Sequence, residues 1–162
     1  MRPADQHSII QNILDDTVRH ARGLDYALYA VRHPGLDQEL ETGPEPEFVE
    51  SLNVKQLDDL LERLACRDRT PDEQRDLWKK HLRRVDRALR DLDKEFVETG
   101  QGETVRVVLD LDMGGLYYTR IDSRAVLFGA TLDQEEVNNG RCEREMSRMV
   151  AQIEAVCTIH GE

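Results

Sequence analysis

VRVVLDLDMGGLYYTRIDSRAVLFGA, residues 105–130, is the stretch that decides the fold class of this chain. Apolar and polar side chains alternate from Val105 to Asp112, which is typical of a strand with one buried face. A Gly-Gly pair permits a tight reversal into a second strand over 116–121, and an Asp-Ser pair permits another into a third strand over 124–130. The stretch therefore predicts a three-stranded antiparallel meander.

A long helix is predicted before this meander. Thr70 is its N-cap, Pro71 occupies the first helical position, and Glu73 completes a capping box. Apolar residues then recur at alternating four- and three-residue steps, the spacing of a helix packed against another helix: Trp78, Leu82, Val85, Leu89, Leu92 and Phe96. This apolar stripe predicts a helical hairpin within the fold, or self-association.

Three further segments show helical periodicity. The first carries apolar residues at helical spacing as far as Val31, which favours one helix over the alternative of a helix to Arg22 followed by a strand over 24–31. A second helix is expected over 51–67, starting at Ser51 or Asn53. A last helix is expected after the capping residue Asp133, with a later start after Asn138-Asn139-Gly140 as the alternative.

These elements predict an α+β fold, in which N-terminal amphipathic helices with a helical hairpin precede a three-stranded antiparallel meander and a C-terminal helix. We expect residues 1–162 to form a single domain, because that length suits one hydrophobic core. The segment PGLDQELETGPEPE, residues 34–47, combines prolines, glycines and acids. It is predicted to be an exposed acidic loop.

The composition excludes several functional classes. A formal net charge of −11 disfavours non-specific binding to nucleic-acid phosphates, so a protein partner with a basic surface is expected instead. No apolar run approaches the roughly 20 residues needed to cross a bilayer, and the first residues do not resemble a secretion signal. We therefore expect no membrane segment.

The cysteines indicate the compartment. Cys66, Cys142 and Cys157 are an odd number, and their spacing fits no zinc site. Cys142 and Cys157 fall on apolar positions of the predicted last helix, where a thiol usually behaves as a small hydrophobic group. These features favour buried thiols and a cytoplasmic protein.

One helix is basic in this acidic chain. Residues 75–90 contain seven basic and two acidic side chains, a local charge of +5, so the remainder of the chain carries −16. This basic face is a candidate partner-binding surface, formed by Lys79, Lys80, Arg83, Arg84, Arg87 and Arg90. The alternative is a solvated face opposite the apolar stripe, or one neutralised by the protein's own acids.

No motif for catalysis or for a cofactor is present in the sequence. The histidines form neither HxxxH nor HExxH, and no serine or cysteine occupies a glycine-rich elbow. Asp110 and Asp112, at the end of an apolar strand, are weak candidates for binding a divalent cation, but acids are also ordinary on the solvated face of a strand. We predict no metal site and no cofactor, and we favour a protein that is not an enzyme.

The meander followed by an amphipathic helix resembles, in fold alone, small acidic α+β proteins such as secretion chaperones and roadblock-type scaffold proteins. No sequence motif carries this resemblance, and it implies a dimeric binding protein. We predict a non-enzymatic acidic protein that binds another protein as an adaptor, chaperone or inhibitor, for example a phage-encoded inhibitor of a basic nucleic-acid enzyme. The alternatives are a nucleic-acid-binding regulator that uses residues 75–90, and a metal-assisted enzyme built around Asp110 and Asp112.

Overall fold

The computed structural model describes residues 3–20, 23–31, 47–64 and 68–160. The helices are α1 (Pro3–Val18), α2 (Val54–Arg63), α3 (Pro71–Glu98), α4 (Gln134–Asn138) and α5 (Arg141–His160). The strands are β1 (Tyr26–Val31), β2 (Glu47–Leu52), β3 (Arg106–Leu111), β4 (Gly114–Arg120) and β5 (Ala125–Thr131). Of the predicted acidic loop at 34–47, only Glu47 falls within the described residues, and it begins β2.

The strands form one five-stranded antiparallel sheet in the order β2-β1-β5-β4-β3. The predicted three-stranded meander is wrong as a description of the whole sheet, although β3, β4 and β5 do pair consecutively. β1 lies between β5 and β2, with Tyr26 opposite Ala130 on one side and Leu52 on the other. The mixed α and β class is confirmed.

β1 was predicted to be the end of a helix, and this prediction is wrong. Residues 26–30 of β1 are buried because the strand is central and helices cover both faces of the sheet. Such a strand, YALYAV, is apolar on both sides and lacks the alternation that identifies a half-buried strand. Leu28 and Val31 therefore matched helical spacing by coincidence, and the alternative of a strand over 24–31 is the observed one.

β2 replaces the start of the helix predicted over 51–67. Ser51 and Leu52 end this strand, and α2 begins only after Asn53, whose side chain accepts a hydrogen bond from the Gln56 backbone N–H at 3.0 Å. The N-cap at Asn53 was one of the two predicted starts. The strand was missed because it is short and follows directly on the proline-rich segment.

The capping box at Thr70 is confirmed, with both of its hydrogen bonds present. The predicted helical hairpin is wrong, because most of the apolar stripe packs on the sheet. Trp78 stacks on Tyr26 of β1 with ring centroids 6.0 Å apart, and Leu82 and Leu89 are buried in the same cluster. A sheet surface accommodates a helix with this apolar spacing as well as another helix does.

Helices cover the sheet on both faces, so the protein has three layers and two cores. On one face, α1 and α5 bury Ile10, Leu14, Met146, Met149 and Ile153 against Ala27, Tyr29 and Leu127 of the sheet. On the other face, α2 and α3 cover the side chains of β1, β4 and β5 that point the opposite way. No helix in the described ranges is both long and apolar enough to cross a membrane.

Candidate functional site

Among the described residues, β3 is an edge strand with no neighbouring strand on its outer side. The Val105 carbonyl accepts a hydrogen bond from the Arg120 N–H at 2.8 Å, and Arg106 stands opposite Thr119 of β4. In an antiparallel ladder, hydrogen bonds to one neighbour come from every second residue. The backbone N–H and C=O groups of Arg106, Val108 and Asp110 therefore point outward, available to another strand.

Exposed apolar side chains concentrate at this edge. Among the described residues, nine large hydrophobic side chains are exposed, and only Val54 lies away from β3, its hairpin and the end of α3. The other eight, which we call the edge patch, are Leu92, Phe96, Val97, Val105, Val108, Leu109, Leu111 and Met113. Asp93 joins the two elements by accepting a hydrogen bond from the Thr104 backbone N–H at 2.7 Å. Exposed apolar side chains grouped at one edge in this way indicate a candidate interaction surface.

The opposite edge of the sheet is covered. Gln11 on α1 donates from Nε2 to the outward-facing carbonyl of Glu50 in β2 at 2.8 Å. Ser51 of the same strand donates to Asp15 of α1 at 2.6 Å, and His7 lies 3.2 Å from Glu47. Because α1 side chains occupy this edge and no described segment covers β3 in the same way, the two edges are not equivalent.

The basic face of α3 is the second candidate surface. Lys80, Arg84 and Arg87 are exposed on the side opposite the buried Trp78 and Leu82. The remaining residues of the predicted face, Lys79, Arg83 and Arg90, are half-buried.

Part of this basic face is engaged within the protein. The Lys79 ammonium lies 3.9 Å from Glu50 and 4.5 Å from the centre of the Phe48 ring, and the Arg83 guanidinium lies 5.8 Å from that ring. These contacts anchor the half-buried end of the face to β2. Lys80, Arg84 and Arg87 are the more exposed members of the face, which makes them the more accessible to a partner.

Asp25, which sequence reasoning missed, is a fully buried carboxylate at the start of β1. It accepts hydrogen bonds from Gln56 Nε2 at 2.5 Å, from Thr131 Oγ1 at 3.1 Å and from the Leu132 backbone N–H at 2.8 Å. Burial raises the pKa of Asp25 to about 6, and the three donors partly oppose this shift. The burial of Asp25 could not be predicted from the residues around it in the sequence, because its hydrogen-bond donors come from distant segments. Asp25 joins β1, α2 and the end of β5.

The sequence-predicted metal candidates lie on the surface at the end of β3. Asp110 is exposed on β3 and Asp112 is exposed in the turn that follows it. Within the described ranges, no group of three or more potential metal ligands comes together. Burial raises the pKa of the Cys142 thiol to about 12 and also raises that of Cys157, whereas Cys66 lies outside the described residues. Both shifts disfavour the reactive thiolate form at neutral pH.

On the α5 side of the edge there is a cavity of about 240 Å³ between α5 and the β3–β4 pair. Arg106, Val108 and Tyr117 line it from the sheet, and Met146 and Glu154 line it from the helix. α5 thus lies back from β3 and leaves this face of the edge strand uncovered.

Neither a family model nor a curated protein matches the sequence of this chain. Among solved structures, the gliding protein MglB from Thermus thermophilus matches with a TM-score of 0.59 at 15% identity, covering 96% of this chain and 93% of that chain. An MglB structure with a tetrameric arrangement matches with a TM-score of 0.58 at 15% identity, over 96% and 92% of the two chains. Myxococcus xanthus MglB matches with a TM-score of 0.56 at 9% identity, over 96% and 92%. At these identities the likeness establishes the fold.

These neighbours correct the function predicted from sequence. They are MglB gliding proteins, so the prediction of an acidic adaptor, chaperone or inhibitor, including a phage-encoded inhibitor, is wrong. None of the three is described as a nucleic-acid-binding regulator or a metal-assisted enzyme, the two alternatives. The broader prediction of an α+β protein that interacts with other proteins agrees with them.

Proposed function

We propose that this protein is a self-associating regulator of a partner protein, and that the partner is a Ras-like small GTPase. The edge patch carries the first part of the proposal, because an apolar, unpaired edge strand requires cover. The likeness to MglB, one structure of which is tetrameric, supports both assembly and the class of partner.

Self-association is proposed through β3 and the adjoining end of α3. Of the apolar stripe predicted for this role, Trp78, Leu82 and Leu89 are buried in the protein's own core, and Val85 is partly buried beside them. Leu92 and Phe96 remain exposed and extend the edge patch. Most of the stripe therefore packs inside the protein. Only its C-terminal end, Leu92 and Phe96, is proposed to contact a second copy.

The GTPase is proposed to bind the exposed basic residues of α3. Lys80, Arg84 and Arg87 would face an acidic surface on the partner, which favours rapid and specific association. We also propose that the acidic remainder of the molecule binds a protein with a basic surface, as predicted from the sequence. A cytoplasmic location is proposed as well, since the described thiols are not paired in a disulfide.

Replacing Leu109 by Glu is expected to prevent self-association, because the change places two charges in the apolar contact, one from each copy. The dissociation constant should rise at least about a hundredfold, equivalent to about 2.8 kcal/mol. Sedimentation equilibrium over a wide concentration range measures this. Val54→Glu is the matched control, since it introduces the same charge at the exposed apolar residue outside the edge patch. A wild-type chain that stays monomeric, or equal behaviour of the two variants, would contradict the proposal.

Reversing the charge of Lys80, Arg84 and Arg87 to Glu is expected to weaken GTPase binding by about tenfold to a hundredfold, the sum of three partly exposed ion pairs. Calorimetry against the Ras-like GTPases of the source organism, loaded with GDP or with a non-hydrolysable GTP analogue, measures the affinity. The control reverses Arg124, Arg144 and Arg148, which are also exposed. The partner class is wrong if none of these GTPases binds the wild-type protein, and the surface is wrong if both triple variants bind equally.

A further inference from the structure

We propose that two copies of the chain pair antiparallel through β3 in one particular register, with Val108 opposite Val108 of the second copy. Arg106 of each copy then lies opposite Asp110 of the other. The inference rests on the proposed self-association and specifies its geometry.

The backbone restricts the choice of register. Arg106, Val108 and Asp110 carry the outward-facing N–H and C=O groups, because Val105 bonds inward to Arg120. Two strands related by a two-fold axis pair well only when outward-facing residues stand opposite one another. This rule excludes register shifts by a single residue. Near the middle of β3, where the two strands overlap most, the axis can pass beside Val107, Val108 or Leu109.

Charge distinguishes these three registers. Centred on Val108, the pairing places Arg106 opposite Asp110 twice, and both residues point to the same face of the sheet. Centred on Val107, it places Arg106 opposite Val108 and Asp110 opposite Thr104, so neither charge has a partner. Centred on Leu109, it places Arg106 opposite Asp112, which lies in the turn beyond the end of β3, and leaves Asp110 opposite Val108.

Apolar contacts favour the same register. The odd-numbered residues of β3 point to the α3 side, where Val107 packs against the core and Leu109 and Leu111 are exposed. With Val108 at the centre, Val105 stands opposite Leu111 of the second copy and Val107 opposite Leu109. Every exposed apolar side chain of the strand then meets another apolar side chain, so one register satisfies charge, backbone and hydrophobic contacts together.

Arg106 and Asp110 both remain accessible on the face that α5 leaves uncovered. Exposed cross-strand ion pairs add little affinity, whereas like charges directly opposite one another oppose pairing. The two ion pairs are therefore expected to select the register, while the apolar side chains supply most of the affinity.

Single charge reversals test this geometry. Arg106→Asp places acids opposite acids in its homodimer, and Asp110→Arg places cations opposite cations. Each variant alone is expected to dimerise about tenfold to a hundredfold more weakly than wild type, through two lost attractions and two new repulsions. Mixed together, the two variants restore both ion pairs, so a heterodimer should form with an affinity close to that of the wild type. The double variant should also recover the homodimer.

Asp112→Arg is the control, since it makes the same charge change two residues away. Sedimentation or native mass spectrometry of the separate and mixed variants gives the affinities, and heterodimer formation also shows that both variants are folded. If Asp112→Arg, rather than Asp110→Arg, pairs with Arg106→Asp, the register is centred on Leu109 and the inference is overturned. If wild type dimerises and neither reversal affects it, this register is wrong while self-association stands. A monomeric wild type would overturn both.

Discussion

Replacing Gly114 by Ala is expected to lower the free energy of unfolding by about 3–5 kcal/mol, from backbone strain together with a steric clash. Gly114 has a φ of +118°, a conformation that residues with a Cβ rarely adopt. A Cβ built there would lie 2.0 Å from the Thr131 carbonyl oxygen and 2.9 Å from Leu132 Cα. Both contacts are with backbone, so relief requires β4 and the end of β5 to separate.

Urea denaturation of the purified variant measures this loss. Gly100→Ala is the matched control, because Gly100 also has a positive φ, of +81°, and no atom of the described residues beyond its two chain neighbours lies within 4 Å of its hypothetical Cβ. That control should cost only about 1 kcal/mol. The difference between the two variants reports the clash with Thr131 and Leu132 together with the greater backbone strain at Gly114. Equal losses would show that β4 and β5 are not as close at this point as the structure indicates.

Replacing Asp25 by Ala is expected to lower the free energy of unfolding by about 3–5 kcal/mol. The change removes the carboxylate that accepts hydrogen bonds from three donors. The Leu132 N–H and the Thr131 hydroxyl then remain buried without the acceptor that Asp25 supplied. Each buried donor left unsatisfied costs about 1–3 kcal/mol. Asp25→Asn should cost much less, because its oxygen still accepts from Leu132 and the Gln56 amide can turn to accept from the new NH₂ group.

The same residue predicts a pH dependence. Folding raises the pKa of Asp25 from 3.8 to about 6, so the protonated form is the one that folding favours. The contribution of this raised pKa to the free energy of unfolding is therefore fully present below about pH 4. It is lost as the pH rises to about 6. That loss amounts to about 3 kcal/mol for a shift of roughly two pH units.

Asp25→Asn, which cannot titrate, supplies the reference for this measurement. Subtracting its free energy of unfolding from that of the wild type should give a difference that falls between pH 4 and pH 6 and stays level above pH 7. A difference independent of pH would show that the pKa of Asp25 is not raised in the folded protein.

The candidate interaction surfaces could be predicted from sequence only in part. The basic residues of α3 were visible as a charge cluster, and the structure places three of them on an exposed face. The edge patch was not visible, because Val105, Leu109 and Leu111 alternate like the buried residues of an interior strand. Whether such residues are covered depends on where the strand lies in the sheet. That position is fixed by contacts between distant segments.

Local signals in the sequence determined the elements whose formation depends on near neighbours. The capping box at Thr70, the N-cap at Asp133 and the strand β3 each depend on residues a few positions apart, and each element is found in the structure. Tertiary structure alone decided that β1 is a central strand, that β2 exists, and that Asp25 is buried with three donors. These outcomes depend on burial from both faces and on hydrogen bonds between segments far apart in the chain, and no local periodicity encodes them.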